Sequence, residues 1–284
     1  MNKNKLRSSI QKIEKETGLN YNAILIMYFL ESVLKRIAVS PYKDYFIFKG
    51  GFLLSSIVGI ENRTTMDMDM LFVNQDFREE NIVNIMTEIV EIDLKDNLKL
   101  TVESTELIKE EDEYGGFRIK IKCMLDNIRQ IVPLDIATGD PVTPGANIYD
   151  YHTLTENETI SIKTYNLETI IAEKMHTIFV RGNFNSRNKD FFDIYILNKI
   201  KREQIDVDIL KESFKNTFEY RQTDLRIAEI RNVLTSIAEN PIMKNRWSSF
   251  TKKNIFAADL SFFDTINAGL DILNLFDNDR GLES

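Results

Sequence analysis

The chain has 284 residues, 43% hydrophobic and 28% charged, with a formal net charge of −8, which suits one large or two ordinary soluble domains and argues against a protein that coats nucleic acid indiscriminately. A single cysteine, Cys123, excludes an internal disulfide and suits a reducing cytoplasm. Two histidines, His152 and His176, are too few for a zinc cage without heavy carboxylate support, so any metal chemistry is expected to use oxygen ligands and a hard cation such as Mg²⁺.

Residues 6–40 follow the helical period and predict two helices broken near Gly18-Leu19-Asn20. A short apolar strand at 45–48 stops at Gly50-Gly51; a helix is expected over 52–60 and a strand over 66–73. Residues 78–94 show the i, i+3, i+4 spacing of an amphipathic helix through Ile82, Ile85, Met86, Ile89 and Val90. Three strand-like segments follow at 98–108, 117–125 and 128–137, with a turn at 114–116 and a hairpin turn at Asp126-Asn127. From residue 166 the pattern turns helical, with helices expected at 167–180, 190–199, 206–218, 225–238, 243–252 and 257–275. The polar tail from Asp277 to Ser284 is expected to fray. No apolar run is long enough to span a membrane, and no secretory signal is expected at the start. The fold class is α+β: a mixed sheet with flanking helices over residues 1–163, then a helical domain over 164–284.

Charge is segregated along this chain. Between residues 162 and 202 there are eight basic residues and four acids, a portion suited to an anionic substrate.

The densest chemical signal lies between residues 49 and 69. Lys49-Gly50-Gly51 closes one strand, and Arg63-Thr64-Thr65-Met66-Asp67-Met68-Asp69 leads into the next. Acids at i and i+2 on a strand point the same way, about 7 Å apart. Such a pair, flanked by Met66, Met68, Met70 and Leu71, packs poorly and suits a metal. Asp135, an isolated acid in the apolar strand 128–137, is a third candidate, because a buried lone carboxylate is costly unless paired or metal-bound. Acids gathered on adjacent strands are what metal-assisted phosphoryl or nucleotidyl transfer requires. Gly50 and Gly51 ahead of a helix can bring backbone N–H groups to a phosphate. Lys49 and Arg63 flank them, and Arg63 can fork onto a phosphate or hold a carboxylate.

These residues resemble the AbiEii/AbiGii nucleotidyltransferase-like toxins, the toxin half of type IV toxin–antitoxin and abortive-infection systems. Their first motif, Gly-Gly, a helix, then Arg-x-(Ser/Thr)-x-Asp-x-Asp, stands here as Gly50, Gly51, Arg63, Thr65, Asp67 and Asp69. The later-strand acid would be Asp135, and the lysine of the Ala-Glu-Lys type would be Lys174. The last motif, Arg-x-x-Asp-x-x-Asp, matches Arg187, Asp190 and Asp193, with Phe191, Phe192 and Tyr195 among them.

The resemblance implies a nucleotidyltransferase sheet followed by a helical lobe, Mg²⁺ held by Asp67, Asp69 and Asp135, and a nucleoside triphosphate donor, GTP in some members. Gly50, Gly51, Arg63, Thr65 and Lys174 would hold the triphosphate, with either Arg187 or Lys189 meeting phosphates. Asp190 would hold Lys174 or act as general base, and Asp135 would assist the metal or itself activate the acceptor hydroxyl. The implied partners are an RNA acceptor such as tRNA and a cognate antitoxin from an adjacent gene, with no membrane. Two other readings use the same residues: a nucleotidyltransferase that modifies a small molecule such as an antibiotic, and a non-catalytic NTP-binding regulator. Asp193 also reads as one half of a helix N-terminal charge pair with Asp190, and His176 as a packing histidine.

Overall fold

The computed structural model describes residues 1–108 and 115–277. Tyr114 of the expected 114–116 turn and the tail from 278 lie outside the described residues. Contacts divide the chain into two compact units: Met1–Gly139 with Ala146–Tyr165, and Asp140–Gly145 with the chain from Asn166 onward.

The first unit opens with two helices. Helix α1 (Lys3–Thr17) starts where the Asn2 side chain accepts from the Lys5 N–H, and buries Leu6, Ile10 and Ile13. It ends at Gly18, whose φ of +73° is the left-handed cap that glycine adopts without strain. Asn20 then caps α2 (Tyr21–Val39) by accepting from Ala23 N–H. The expected break at Gly18-Leu19-Asn20 is thus a C-cap and an N-cap separated by Leu19 alone. Helix α2 is apolar almost all round and forms the buried spine of the unit.

The remaining elements of this unit are β1 (Phe46–Lys49), α3 (Gly50–Val58), β2 (Met68–Phe72), α4 (Glu79–Val90), β3 (Leu98–Ile108), β4 (Gly116–Leu125), β5 (Ile128–Ala137), β6 (Asn147–His152) and β7 (Thr159–Thr164). Among the described residues they build a seven-stranded sheet of order β3-β4-β5-β2-β1-β7-β6. It is mixed: β2 runs parallel to β5, and β1 parallel to β7, while the other neighbours are antiparallel. Asp126, with φ of +52°, makes the tight turn that sets Leu125 opposite Ile128. Strands β6 and β7 were not among the expected elements. The β6 signal is weak because Ile148, its one aliphatic residue, is exposed, leaving Tyr151 as the strand's buried anchor, whereas β7 does alternate, with Ile160 and Ile162 buried.

The second unit is helical: α5 (Leu167–Arg181), α6 (Asn188–Lys201), α7 (Val207–Tyr220), α8 (Ile227–Glu239), α9 (Pro241–Thr251) and α10 (Phe262–Leu273). Its core is aromatic, with Phe191, Phe192, Phe214 and Phe218 fully buried and the Trp247 indole N–H donating to Leu260 O at 2.9 Å. The helix expected from residue 257 begins only at Phe262. Ser261 is the reason: its Oγ accepts from the Asp264 N–H as an N-cap, after a 3-10 turn at Ile255–Ala257. The short segment Asp140–Gly145 belongs to this unit through Asp140–Arg221 at 2.8 Å and Asn216 Nδ2 to Thr143 Oγ1 at 2.9 Å.

Candidate active site

Strand register places four charged residues in one row. Lys49 of β1 lies opposite Asp69 of β2, Asp69 opposite Asp135 of β5, and Asp135 opposite Arg118 of β4. Directly paired residues on neighbouring strands share a face, so the sheet carries a plus, minus, minus, plus sequence across four adjacent strands. Lys49 continues the row by donating from Nζ to the Tyr165 hydroxyl at 3.0 Å, just beyond β7.

Asp69 sits within β2, whereas Asp67 precedes the strand by one residue. The expected pairing of both acids on one strand therefore changes. Strand pairing fixes Asp69, and Asp67 is fixed by the segment leading in, where the Thr65 hydroxyl donates to its Oδ1. Burial pushes the Asp69 carboxyl up to about 7; Asp67 and Asp135 add to the rise, and Lys49 and the Gly51 N–H oppose it. Two acids have been brought together with less positive charge than they need.

The glycines explain how so close an approach is possible. Gly50 has φ of +73°, and a Cβ there would stand 1.9 Å from Asp69 Oδ2. A Cβ on Gly51 would meet Arg63 Nη2 at 3.0 Å and Thr65 Oγ1 at 3.3 Å. The start of α3 thus packs against the acidic pair, and the Gly51 N–H is directed at Asp69. Arg63 is buried, with Nη1 donating to Thr64 O, so it braces the turn that carries Thr65 and Asp67.

Arg118 is the residue that the sequence reading missed. Its Nε and Nη2 donate to Asp135 Oδ1 and Oδ2 at 2.7 and 2.6 Å, a two-point grip on both oxygens. A signal for it was present. A two-residue turn at Asp126-Asn127 forces Leu125 opposite Ile128, and the same register carried down the hairpin sets Arg118 opposite Asp135.

A second cluster lies in the helical unit. Lys174 of α5 places Nζ 2.9 Å from Asp190 Oδ1 and 2.7 Å from Asp193 Oδ2, both on α6. Arg187 Nε reaches the other Asp190 oxygen at 3.0 Å. Burial works against the Lys174 ammonium, but Asp190 and Asp193 outweigh it and hold its pKa above the ordinary lysine value. Asp193, fully buried, is a partner of Lys174 rather than a solvent-facing member of a helix-end charge pair. Lys189 is exposed on the first turn of α6. His176 is buried, with Nε2 3.0 Å from Thr223 Oγ1 and its ring edge-on to Phe218, a packing role. Cys123 is a buried apolar filler whose thiol burial pushes up to about 12.

Among the described residues no three His, Cys, Asp or Glu side chains form a ready-made metal cage. Mg²⁺ does not need one: it keeps several waters and takes one or two carboxylates together with substrate phosphates. Asp67 and Asp69 fit that pattern. Asp135 has both oxygens on Arg118, so a metal there would compete with that pair.

Residues 32–268 match the family described as nucleotidyl transferase AbiEii toxin of type IV toxin–antitoxin systems. The chain belongs to the AbiEii family. Among curated proteins none matches it. Two solved structures from Helicobacter pylori share its fold. One, provisionally titled a nucleotidyltransferase, has a TM-score of 0.57 at 15% identity, covering 94% of this chain and 100% of that one. The other, JHP933, has a TM-score of 0.54 at 14% identity, covering 92% and 94%. At such identities the likeness speaks for the architecture alone. As an AbiEii protein the chain is a nucleotidyltransferase, and its family implies a nucleoside triphosphate donor and an antitoxin partner. Among its described residues no helix is long and apolar enough to cross a membrane.

Proposed function

We propose that this AbiEii protein transfers a nucleotide from a nucleoside triphosphate to a cellular acceptor hydroxyl, foremost an RNA 3′ end such as that of tRNA. The observation that carries the reading is the row Lys49–Asp69–Asp135–Arg118, with Asp67 beside it. Asp67 and Asp69 would hold Mg²⁺, which would neutralise phosphate oxygens and align the reacting groups. Asp135, oriented by the Arg118 fork, accepts the proton of the acceptor hydroxyl as its oxygen attacks the α-phosphorus and pyrophosphate leaves. Lys49, anchored on Tyr165, supplies positive charge to the polyphosphate. Gly50 and Gly51 keep that approach open, and Thr65 and Arg63 hold Asp67 in place. In the helical unit Lys174, held by Asp190 and Asp193, forms with Arg187 and Lys189 a cationic cluster suited to phosphate.

The test is incubation of the protein with labelled nucleoside triphosphates and total cellular RNA, wild type beside Asp67→Ala and Asp69→Ala. Label should enter RNA with the wild type alone, and growth arrest on expression should vanish with it. Arrest that survives both substitutions would defeat the proposal.

A further inference from the structure

Two stretches of the helical unit contain no acid at all. Residues 177–189 and 240–258 hold seven Lys and Arg and no Asp or Glu, in a chain with 44 acids among 284 residues. They are neighbours: Arg246 Nη1 donates to Asn185 O at 3.1 Å, and Asn188 Nδ2 approaches Arg246 O at 3.5 Å. Lys189, Lys244, Lys252 and Lys253 are exposed there and make no ion pair among the described residues. Some lysines elsewhere do find acids, as Lys35 does with Glu156 and Glu158 and Lys163 with Asp44. The nearest acids in sequence do not cancel this surface. Asp190 is buried and engaged by Lys174 and Arg187, Asp264 takes the Ser261 hydroxyl, and the exposed Glu239 and Asp259 flank the second stretch without an ion pair to it among the described residues.

The same surface exposes aromatic rings. Phe184, in the turn between α5 and α6, is 89% exposed. The turn is fastened on both sides: Asn185 N–H donates to Gly182 O at 3.1 Å, Asn185 Oδ1 accepts from Arg187 N–H at 2.8 Å, and Asn183 Nδ2 donates to Ser236 Oγ at 3.1 Å. A bare phenyl ring is therefore held out by a fixed backbone. Along α9, a groove of about 430 Å³ is lined by Trp247, Phe262 and Phe263 together with Lys244, Ser248 and Thr251.

Unpaired cations select a polyanion, and rigid exposed rings select flat apolar faces. Single-stranded nucleic acid presents both, whereas a duplex keeps its base faces stacked within. An anionic membrane is a poorer fit, because the exposed Phe184, Ile242, Ile255 and Phe263 are interspersed with the exposed polar side chains Ser186, Asn245, Ser248 and Ser249. We infer that the α6–α9 face binds single-stranded RNA, with phosphates on Lys244, Lys252 and Lys253 and bases on Phe184 and in the Trp247–Phe263 groove. This deepens the proposed function by giving the acceptor strand its own binding surface, and rests on that reading for its biological role. The binding itself does not depend on it.

The test uses the full chain and fluorescence anisotropy with a labelled single-stranded RNA of about 20 nucleotides, its duplex form, and a salt series. The Lys244→Glu, Lys252→Glu, Lys253→Glu triple variant should weaken single-strand binding more than about tenfold and reduce the salt slope by about 2. Phe184→Ala should weaken it by about tenfold with the slope unchanged, and Phe184→Trp should restore it. ATP and GTP affinity should not change in any of these. Asp69→Ala should bind RNA like the wild type, so a failure of the catalytic reading leaves this measurement standing. Wild-type affinity in the triple and Phe184→Ala variants, equal affinity for the duplex, or binding to phosphatidylserine vesicles in place of RNA would each overturn the inference.

Discussion

Arg118 and Asp135 face each other across the β4–β5 ladder and share two hydrogen bonds of 2.7 and 2.6 Å. Asp69, on the other side of Asp135, receives no comparable grip and its carboxyl rises to about 7. One guanidinium thereby separates Asp135, matched in charge and fixed in orientation, from Asp69, whose carboxyl burial pushes up.

That division predicts different phenotypes for neighbouring acids. Asp69→Asn should raise the Tm of the metal-free protein by removing a like-charge contact, and should abolish any further rise on adding Mg²⁺ with a nucleoside triphosphate. Asp135→Asn should keep the Mg²⁺-dependent Tm shift yet lower transfer by about 100-fold or more, the usual scale of a lost general base. Loss of the shift in both variants would make Asp135 a metal ligand and contradict the assignment.

How much of this was legible in the sequence depends on the range of each interaction. The caps at Gly18 and Asn20, the strands β3 to β5 and the Asp126 turn are set by local chemistry, and each lies where the pattern put it. Asp67, Asp69 and Asp135 were visible as acids out of place among apolar neighbours. Arg118 was hidden because Phe117-Arg118-Ile119-Lys120 reads as an ordinary alternating strand, and its role appears only when the hairpin register is followed to Asp135. The clasp of Asp193 on Lys174 needs the packing of α6 on α5, which no spacing within either helix reveals. Strand β7 joins β1 through the Phe48–Thr164 pairing, 116 positions away in the chain and beyond any periodicity.

The Lys174 cluster is predicted to be structural as well as functional. Lys174→Ala leaves Asp190 and Asp193 buried side by side without their shared cation, a change costing about 3–5 kcal/mol and a Tm fall of roughly 10 °C. Adding Asp190→Asn and Asp193→Asn to Lys174→Met should recover most of that Tm while transfer stays lost. Thermal melts alongside the transfer assay separate the two effects; a triple variant that regains activity would remove Lys174 from the site.

The two glycines should respond unequally. Gly50→Ala demands a side chain at φ of +73° and a Cβ 1.9 Å from Asp69 Oδ2 and 2.7 Å from Asp69 Cβ, so either α3 or β2 must move. Gly51→Ala meets only the end of Arg63 at 3.0 Å and the Thr65 side chain at 3.3 Å, which shifts of a few tenths of an ångström relieve. Transfer should be undetectable in Gly50→Ala and reduced by about tenfold or less in Gly51→Ala, judged from the modest cost of overpacking. Equal activity in both would show that the close approach to Asp69 is dispensable.

Glu31 gives a pH signature independent of the site. It is 1% exposed, and its Oε1 accepts from the Tyr151 hydroxyl at 2.9 Å and the Leu154 N–H at 2.8 Å. Burial pushes its carboxyl from 4.5 up to about 8, against the pull of those two hydrogen bonds and of Lys35, while Glu156 adds to the rise. The folded chain therefore keeps a proton that the unfolded chain releases above pH 4.5. Stability from this group is full below that value, falls as pH rises, and is lost once pH passes about 8. Glu31→Gln keeps the acceptor oxygen and has an N–H₂ where the neutral acid has its O–H, but it never ionises. It should match the wild type in Tm near pH 5 and exceed it near pH 9 by several degrees, on the order of a few kcal/mol. A wild type and Glu31→Gln that melt in parallel from pH 5 to pH 9 would mean that Glu31 is already ionised in the folded chain.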